Sequence, residues 1–170
     1  MNETIKNILS RRSIRNFTDR KVSDEIINTL LESAIHAPSA KNGQPWFFSV
    51  IQNKELLDKI DSVVECMRGG NIFYNASTVI FVAMQRDSSW GLTDCAAATQ
   101  NILLTTHSLG LGGCWIGCCR EELQGENASE YKKLMKIPED YTILYGIAIG
   151  YTDTEPQAPQ RRNDNIVFVR

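Results

Sequence analysis

Thr78-Val79-Ile80-Phe81-Val82-Ala83-Met84 is a continuous apolar run rich in β-branched side chains. A strand with one wet face alternates apolar and polar positions, so a run without alternation reads as a central strand buried on both faces. Such a strand obliges the rest of the chain to cover it from two sides. With 170 residues, 42% hydrophobic and 22% charged, the chain is long enough for a real core and reads as one globular domain spanning residues 1–170.

The covering segments are visible in order. Ile5, Ile8 and Leu9 have the i, i+3, i+4 spacing of one helical face. Ser23 can cap a second helix whose first turn carries Asp24 and Glu25, and Ile26, Ile27, Leu30, Leu31, Ala34 and Ile35 form its apolar stripe. Pro38 ends it, because proline disfavours helical geometry in the residue before it. Trp46–Ile51 reads as a strand. Residues 54–67 read as an amphipathic helix with Leu56, Leu57, Ile60, Val63, Val64 and Met67 inward, broken by Gly69-Gly70. Residues 92–109 form an Ala-rich core helix with Gly110 as its C-cap, and Ala96, Ala97, Ala98 and Thr99 let another helix approach closely. A short helix follows at residues 128–135, then an apolar strand at 142–150. The tail from 152 to 165 is polar, holds Pro156 and Pro159, and ends in the strand-prone run Ile166-Val167-Phe168-Val169. The class is α+β.

Charge is unevenly placed on this frame. Arg11-Arg12-Ser13-Ile14-Arg15 sits at the end of the first helix, with Lys6, Arg20 and Lys21 nearby, while Arg161, Arg162 and Arg170 crowd the far terminus. A guanidinium presents a planar fork of N–H donors that fits phosphate oxygens, so two distant basic clusters can converge on one anion. Taken alone, such a cluster is more often a solvated basic patch. The net charge of −2 argues against a protein that coats nucleic acid or an anionic membrane.

The loop Ala37-Pro38-Ser39-Ala40-Lys41-Asn42-Gly43-Gln44-Pro45 is either an ordinary helix-to-strand connection or a surface for a flat polar heterocycle, with Asn42 and Gln44 offering donors and acceptors. Gly110-Leu111-Gly112-Gly113-Cys114-Trp115-Ile116-Gly117 fails as a dinucleotide fingerprint because it follows a helix. It reads as a turn feeding a short strand, with glycines where a backbone or ligand comes close. His107 reads as a partner of its helix's C-terminal dipole. Cys66, Cys95, Cys114, Cys118 and Cys119 suit a reducing cytoplasm; Cys114, Cys118 and Cys119 lack a second ligand pair at metal-site spacing and read as buried thiols. No secretory leader and no apolar run of membrane-spanning length is expected.

The arginine segment, Pro38-Ser39-Ala40 with Asn42 and Gln44-Pro45-Trp46, the glycine stretch and Arg161-Arg162 together resemble the FMN-dependent nitroreductase family over nearly the whole chain. The resemblance implies a mostly antiparallel sheet flanked by helices, a homodimer with two interfacial FMN sites, and a C-terminal strand exchanged with the partner subunit. Arg11, Arg12 and Arg162, with Arg161, would hold the phosphate, and Ser13 and Arg15 the phosphate and the pyrimidine side. Pro38, Ser39 and Ala40 would pack along the isoalloxazine from the other subunit, with Asn42 and Gln44 also among the cofactor-binding residues. Trp115, Ile116, Gly117 and Cys118 would line the ring's opposite face. Cys118 departs from a common glycine, Asn75-Ala76-Ser77 replaces an acidic-Ala-Pro turn, and the link after Met84 is short where larger members carry helices over the site.

The implied activity is NAD(P)H-driven reduction of nitroaromatic, quinone or related small acceptors by a ping-pong hydride mechanism, with the chemistry carried by FMN N5. Alternatives are a specialised FMN enzyme of one metabolite and a non-catalytic flavin-binding module.

Overall fold

A computed structural model describes residues 1–63 and 70–170. Four strands form one sheet: β1 (Trp46–Ile51), β2 (Thr78–Gln85), β3 (Gly112–Ile116) and β4 (Tyr141–Gly150), in the order β1-β2-β4-β3 with every pair antiparallel. β2 is interior, as its sequence requires. Its register runs from Val79 opposite Ile51 on one side and from Thr78 opposite Ile149 on the other, with a bulge at Val82/Ala83.

Because strand side chains alternate, β2 feeds two cores. Val79, Phe81 and Ala83 face one way and pack with Leu57, Ile60, Phe73, Leu123, Met135 and Ile143. There the Phe73 and Phe81 rings meet nearly edge-on, with centroids 5.7 Å apart. Ile80 and Val82 face the other way and pack with Ile27, Leu30, Ala34, Ala98, Ile102 and Ile147. The first core is covered by α3 (Lys54–Val63), α5 (Arg120–Gln124) and α6 (Ala128–Met135), the second by α2 (Asp24–Ile35) and α4 (Gly91–Ser108). The Ala-rich centre of α4 lies buried against α2, where Asn101 Nδ2 donates to the Ser33 carbonyl at 2.9 Å.

Ser23 Oγ accepts from Ile26 N–H and caps α2. Gly110, at φ +74°, follows the last turn of α4 in the left-handed region that a side chain would resist. The expected continuation of α3 from Val64 to Met67, its break at Gly69 and the position of Cys66 lie outside the described residues.

The five-residue α5 had no periodic signal. The run Ile166-Val167-Phe168-Val169 forms no strand within its own chain: from Asp153 onward every residue is exposed, and Val169 is 93% exposed. The tail's first residues are tied down, Thr18 N–H donating to the Tyr151 carbonyl and Thr152 Oγ1 to the Asn16 carbonyl, with the Arg20 guanidinium 3.8 Å over the Tyr151 ring. α1 (Glu3–Ser10) also buries none of its residues; Ile5, Ile8 and Leu9 are exposed.

Candidate active site

The arginine segment is held by three contacts. Asn7 Nδ2 on α1 donates to the Leu104 carbonyl, and Ser10 Oγ lies 2.8 Å from His107 Nε2, fixing α1 along α4. Past the helix end Ser13 forms a parallel bridge to Gly113, with Ile14 N–H donating to the Gly113 carbonyl at 3.1 Å. Ile14 is buried while Arg15 on the alternate face is exposed. Gly112 is required here: a Cβ on it would sit 2.8 Å from Ile14 Cγ2. Gly112→Ala is therefore expected to cost about 1–3 kcal/mol, as overpacking does, and to displace residues 13–15; the apo melting temperature and FMN affinity should fall together.

Electrostatically the segment holds unmatched positive charge. Among the described residues no ion pair involves Arg11, Arg12, Arg15 or Arg161. Burial, then the charges of Arg12 and Arg161, lower the pKa of Arg11. His107 is lowered too, by burial and then by Arg11 and Arg12. Like charges gathered at a half-buried spot call for an anion. Arg12 is partly committed already, its Nη1 donating to the Leu9 and Arg11 carbonyls, both at 2.8 Å. Arg162 is committed elsewhere: it makes a bidentate pair with Asp164 at 3.0 Å. Arg161 is thus the C-terminal charge that faces Arg11.

Beside this cluster lies a cavity of about 190 Å³ lined by Arg15, Asn71, Tyr74, Trp115, Gly117 and Cys118 and floored by Ile72, Cys114 and Ile116. Its Asn71 side is shaped by strain. Asn71, Tyr74 and Asn75 all have positive φ, and Asp61 accepts from the N–H groups of Asn71 and Ile72 at 2.6 and 2.5 Å. On the other side, the Trp115 ring lies against Tyr145 with centroids 4.6 Å apart, and Tyr145 OH is 3.2 Å from Thr99 Oγ1. Asn71 and Tyr74 are lining residues that spacing could not place; the left-handed pair Tyr74-Asn75 carries no glycine to signal it.

The loop at 38–44 stands elsewhere. Lys41, Asn42 and Gln44 adopt left-handed φ of 54°, 55° and 45°, a conformation that costs non-glycine residues about 1–3 kcal/mol each and clusters at functional sites. Ser39 Oγ accepts from Gln44 N–H, Gln44 Nε2 donates to Asn42 Oδ1, and Asp94 in the first turn of α4 accepts from Ala40 N–H at 3.2 Å. Asp94 is at the start of α4 and His107 at its end, which at 1.5 Å per residue separates them by roughly 20 Å. The fold thus gathers Arg11, Arg12 and Arg161, sets Ser13 on the bridge to β3, and puts Arg15, Trp115, Ile116, Gly117 and Cys118 around the adjoining cavity. It leaves Pro38, Ser39, Ala40, Asn42 and Gln44 at the opposite end of α4.

The cysteine reading needs one correction: Cys114 and Cys119 are buried, but Cys118, two residues past the end of β3, is exposed and lines the cavity. Burial and then Asp94 push Cys95 up to about 12, so it stays a thiol. Among the described residues no group of three His, Cys, Asp or Glu is placed to hold a metal ion, and no helix is long and apolar enough to cross a membrane.

A sheet with helices on both faces carries an arginine cluster that has no ion pair among the described residues and, beside it, a small lined cavity, an arrangement suited to an anionic ligand. The sequence matches the Nitroreductase family over residues 8–67 and 65–151, and the chain belongs to that family. A relative from Archaeoglobus fulgidus, provisionally named an NADH dehydrogenase/NAD(P)H nitroreductase, is 38% identical over 161 residues, 91% of this chain and 88% of its own. The NADPH-flavin oxidoreductase of Vibrio harveyi is 28% identical over 98% of this chain and 73% of its own. The crystal structure of a nitroreductase with bound FMN from Desulfitobacterium hafniense superposes with a TM-score of 0.90 at 31% identity, covering 100% of both chains.

Proposed function

We propose that this chain is an FMN-dependent oxidoreductase that takes electrons from NADH or NADPH and delivers them to a small organic acceptor, and that it works as a homodimer with each flavin held by both subunits. Family membership and the flavin and NAD(P)H named for its relatives support the chemistry. The observation that carries the two-subunit reading is the separation of the 38–44 loop from Arg11, Arg12 and Arg161 by the length of α4.

Bound FMN supplies the redox chemistry; the chain supplies position, charge and shelter. Arg11, Arg12 and Arg161 hold the phosphate, and Arg162, drawn off by Asp164, has a lesser share. Ser13 and Arg15 hold the pyrimidine side, where positive charge favours electron-rich flavin. Trp115, Ile116, Gly117 and Cys118 face one side of the ring, joined by Asn71. From the partner, Pro38, Ser39 and Ala40 cover the ring, while Asn42 and Gln44 are spanned by their mutual hydrogen bond. No side chain is required as a general base.

The exposed Ile5, Ile8 and Leu9 of α1 belong to the dimer contact. The tail beyond Thr154 reaches the partner's sheet, where β1 is the open edge; the outer edge of β3 is bridged by Ser13. A reducing cytoplasm fits the five cysteines. The whole chain acts as one domain.

Light scattering on the purified protein, followed by denaturation and chromatography of the released flavin, tests this reading. A dimer releasing about one FMN per chain is the expected result. FAD as the main flavin, or a monomer that retains FMN, would overturn it.

A further inference from the structure

The loop of residues 38–44 is fastened at its two ends and at one point between them. Ala37 before it and Pro45 after it are buried, and Gln85 N–H of β2 donates to the Pro45 carbonyl at 2.8 Å. Between those ends Lys41, Asn42, Gly43 and Gln44 are exposed, and three of them hold left-handed φ. Among the described residues, the one hydrogen bond that joins the loop to the rest of the chain runs from Ala40 N–H to Asp94 Oδ2, at 3.2 Å. Asp94 is itself seated on the core. It is 8% exposed, and its N–H donates to the Trp90 carbonyl at 2.9 Å. Its neighbour Cys95 is fully buried, with Sγ 3.7 Å from the Ala83 carbonyl on β2. Gly91, at the start of the helix, packs so closely that a Cβ on it would lie 3.1 Å from Met84 Cβ. The start of α4 is thus fixed to β2, and the Asp94 carboxylate carries that rigidity to Ala40.

We propose that Asp94 is a positioning residue for the flavin of the partner subunit: its carboxylate holds Ala40, and with it Pro38 and Ser39, in the conformation that covers the ring. The proposal rests on the reading that residues 38–44 cover the partner's flavin. Left-handed residues other than glycine persist only where their surroundings hold them. A hydrogen bond to a charged acceptor is among the stronger ways to do so. Without the carboxylate the loop relaxes toward ordinary φ, and the ring loses part of one wall. The loop reaches the ring and not the phosphate, so the loss does not depend on the phosphate, in contrast to the loss at Arg11. One helix then serves two sites: Asp94 at its start acts on the partner's ring, while His107 near its end lies beside the arginines of its own subunit.

The test uses the full-length dimer loaded with FMN or with riboflavin, and reads each dissociation constant from the flavin released on dilution. Light scattering is recorded first. Asp94→Ala should weaken FMN and riboflavin by the same factor, about tenfold, as for loss of a hydrogen bond to a charged group. Asp94→Asn keeps an acceptor oxygen in the same place and should recover most of the loss. The dimer should persist in both variants. A mixed dimer of one Asp94→Ala chain and one Arg11→Ala chain, isolated with two affinity tags, reads the geometry. It should hold one FMN site of wild-type affinity and one site that carries both lesions.

Unchanged affinities in Asp94→Ala, a loss confined to FMN, or an Asp94→Asn variant as weak as Asp94→Ala would overturn the role of Asp94 while leaving the two-subunit site intact. Loss of the dimer in Asp94→Asn would also overturn it, making Asp94 a residue of the fold and not of the site. A mixed dimer with two weakened sites and none of wild-type affinity would overturn the two-subunit reading, and the role of Asp94 across the interface with it.

Discussion

A chain cut after Thr154 is expected to lose both its dimer and its FMN. The cut leaves intact the contacts that anchor the start of the tail, from Tyr151 and Thr152 back to residues 16–20. It removes Ile166, Val167, Phe168 and Val169, which are 64–93% exposed in the isolated chain. Fully burying a side chain of this size contributes about 1.5–3 kcal/mol, so the four on each of two arms supply on the order of 12–24 kcal/mol as an upper bound. That exceeds the whole free energy of a micromolar dimer, about 8 kcal/mol. The cut also removes Arg161, the charge facing Arg11. The truncated protein should run as a colourless monomer by light scattering and absorbance; a yellow dimer would show that the tail holds neither.

Arg11→Ala is expected to weaken FMN roughly tenfold to a hundredfold while leaving riboflavin affinity nearly unchanged. A hydrogen bond to a charged group contributes about 1.5–3 kcal/mol, and each 1.4 kcal/mol is a factor of ten. Riboflavin lacks the phosphate, so the ratio of the two losses separates phosphate binding from general disruption. Arg11→Lys should recover only part, because an ammonium keeps the charge and loses the planar fork. Arg12→Ala should differ in kind. It also releases the Leu9 and Arg11 carbonyls at the end of α1, so the apo melting temperature should fall and riboflavin should lose some affinity as well. Arg161→Ala should resemble Arg11→Ala, and Arg162→Ala should cost less, since that guanidinium is paired with Asp164. Titrating the apo variants with both flavins checks the whole set.

How far the sequence carries follows from what each signal depends on. β2 was legible because burial on two faces removes alternation, a local property of seven consecutive residues. The limits of β1 and α6 came from patterns of the same local kind, and the cap of α2 from Ser23 with its acidic first turn. The glycine stretch was legible as a close approach, and the structure names the partner: Ile14 at Gly112. What escaped depends on distant geometry. Nothing in Arg161-Arg162 says which guanidinium turns toward Arg11, because Asp164 decides it. The left-handed turn at Tyr74-Asn75 is held by tertiary contacts such as Asn71 Oδ1 accepting from Asn75 N–H, and carries no glycine. Cys118 looked like Cys114 and Cys119 in sequence and differs only through where β3 stops. α5 is too short for a periodic signal. The tail's apolar end was visible, and its departure from its own sheet was already implied by the family resemblance.

The most direct test of the flavin oxidoreductase assignment is an anaerobic titration of the FMN-loaded protein with NADH and, separately, NADPH, following the absorbance of oxidised flavin. The band should bleach with at least one nicotinamide at one equivalent per flavin and return when a nitroaromatic or quinone is added. A flavin that stays oxidised in excess of both nicotinamides, while dithionite still reduces it, would contradict the enzyme and leave a flavin-binding module.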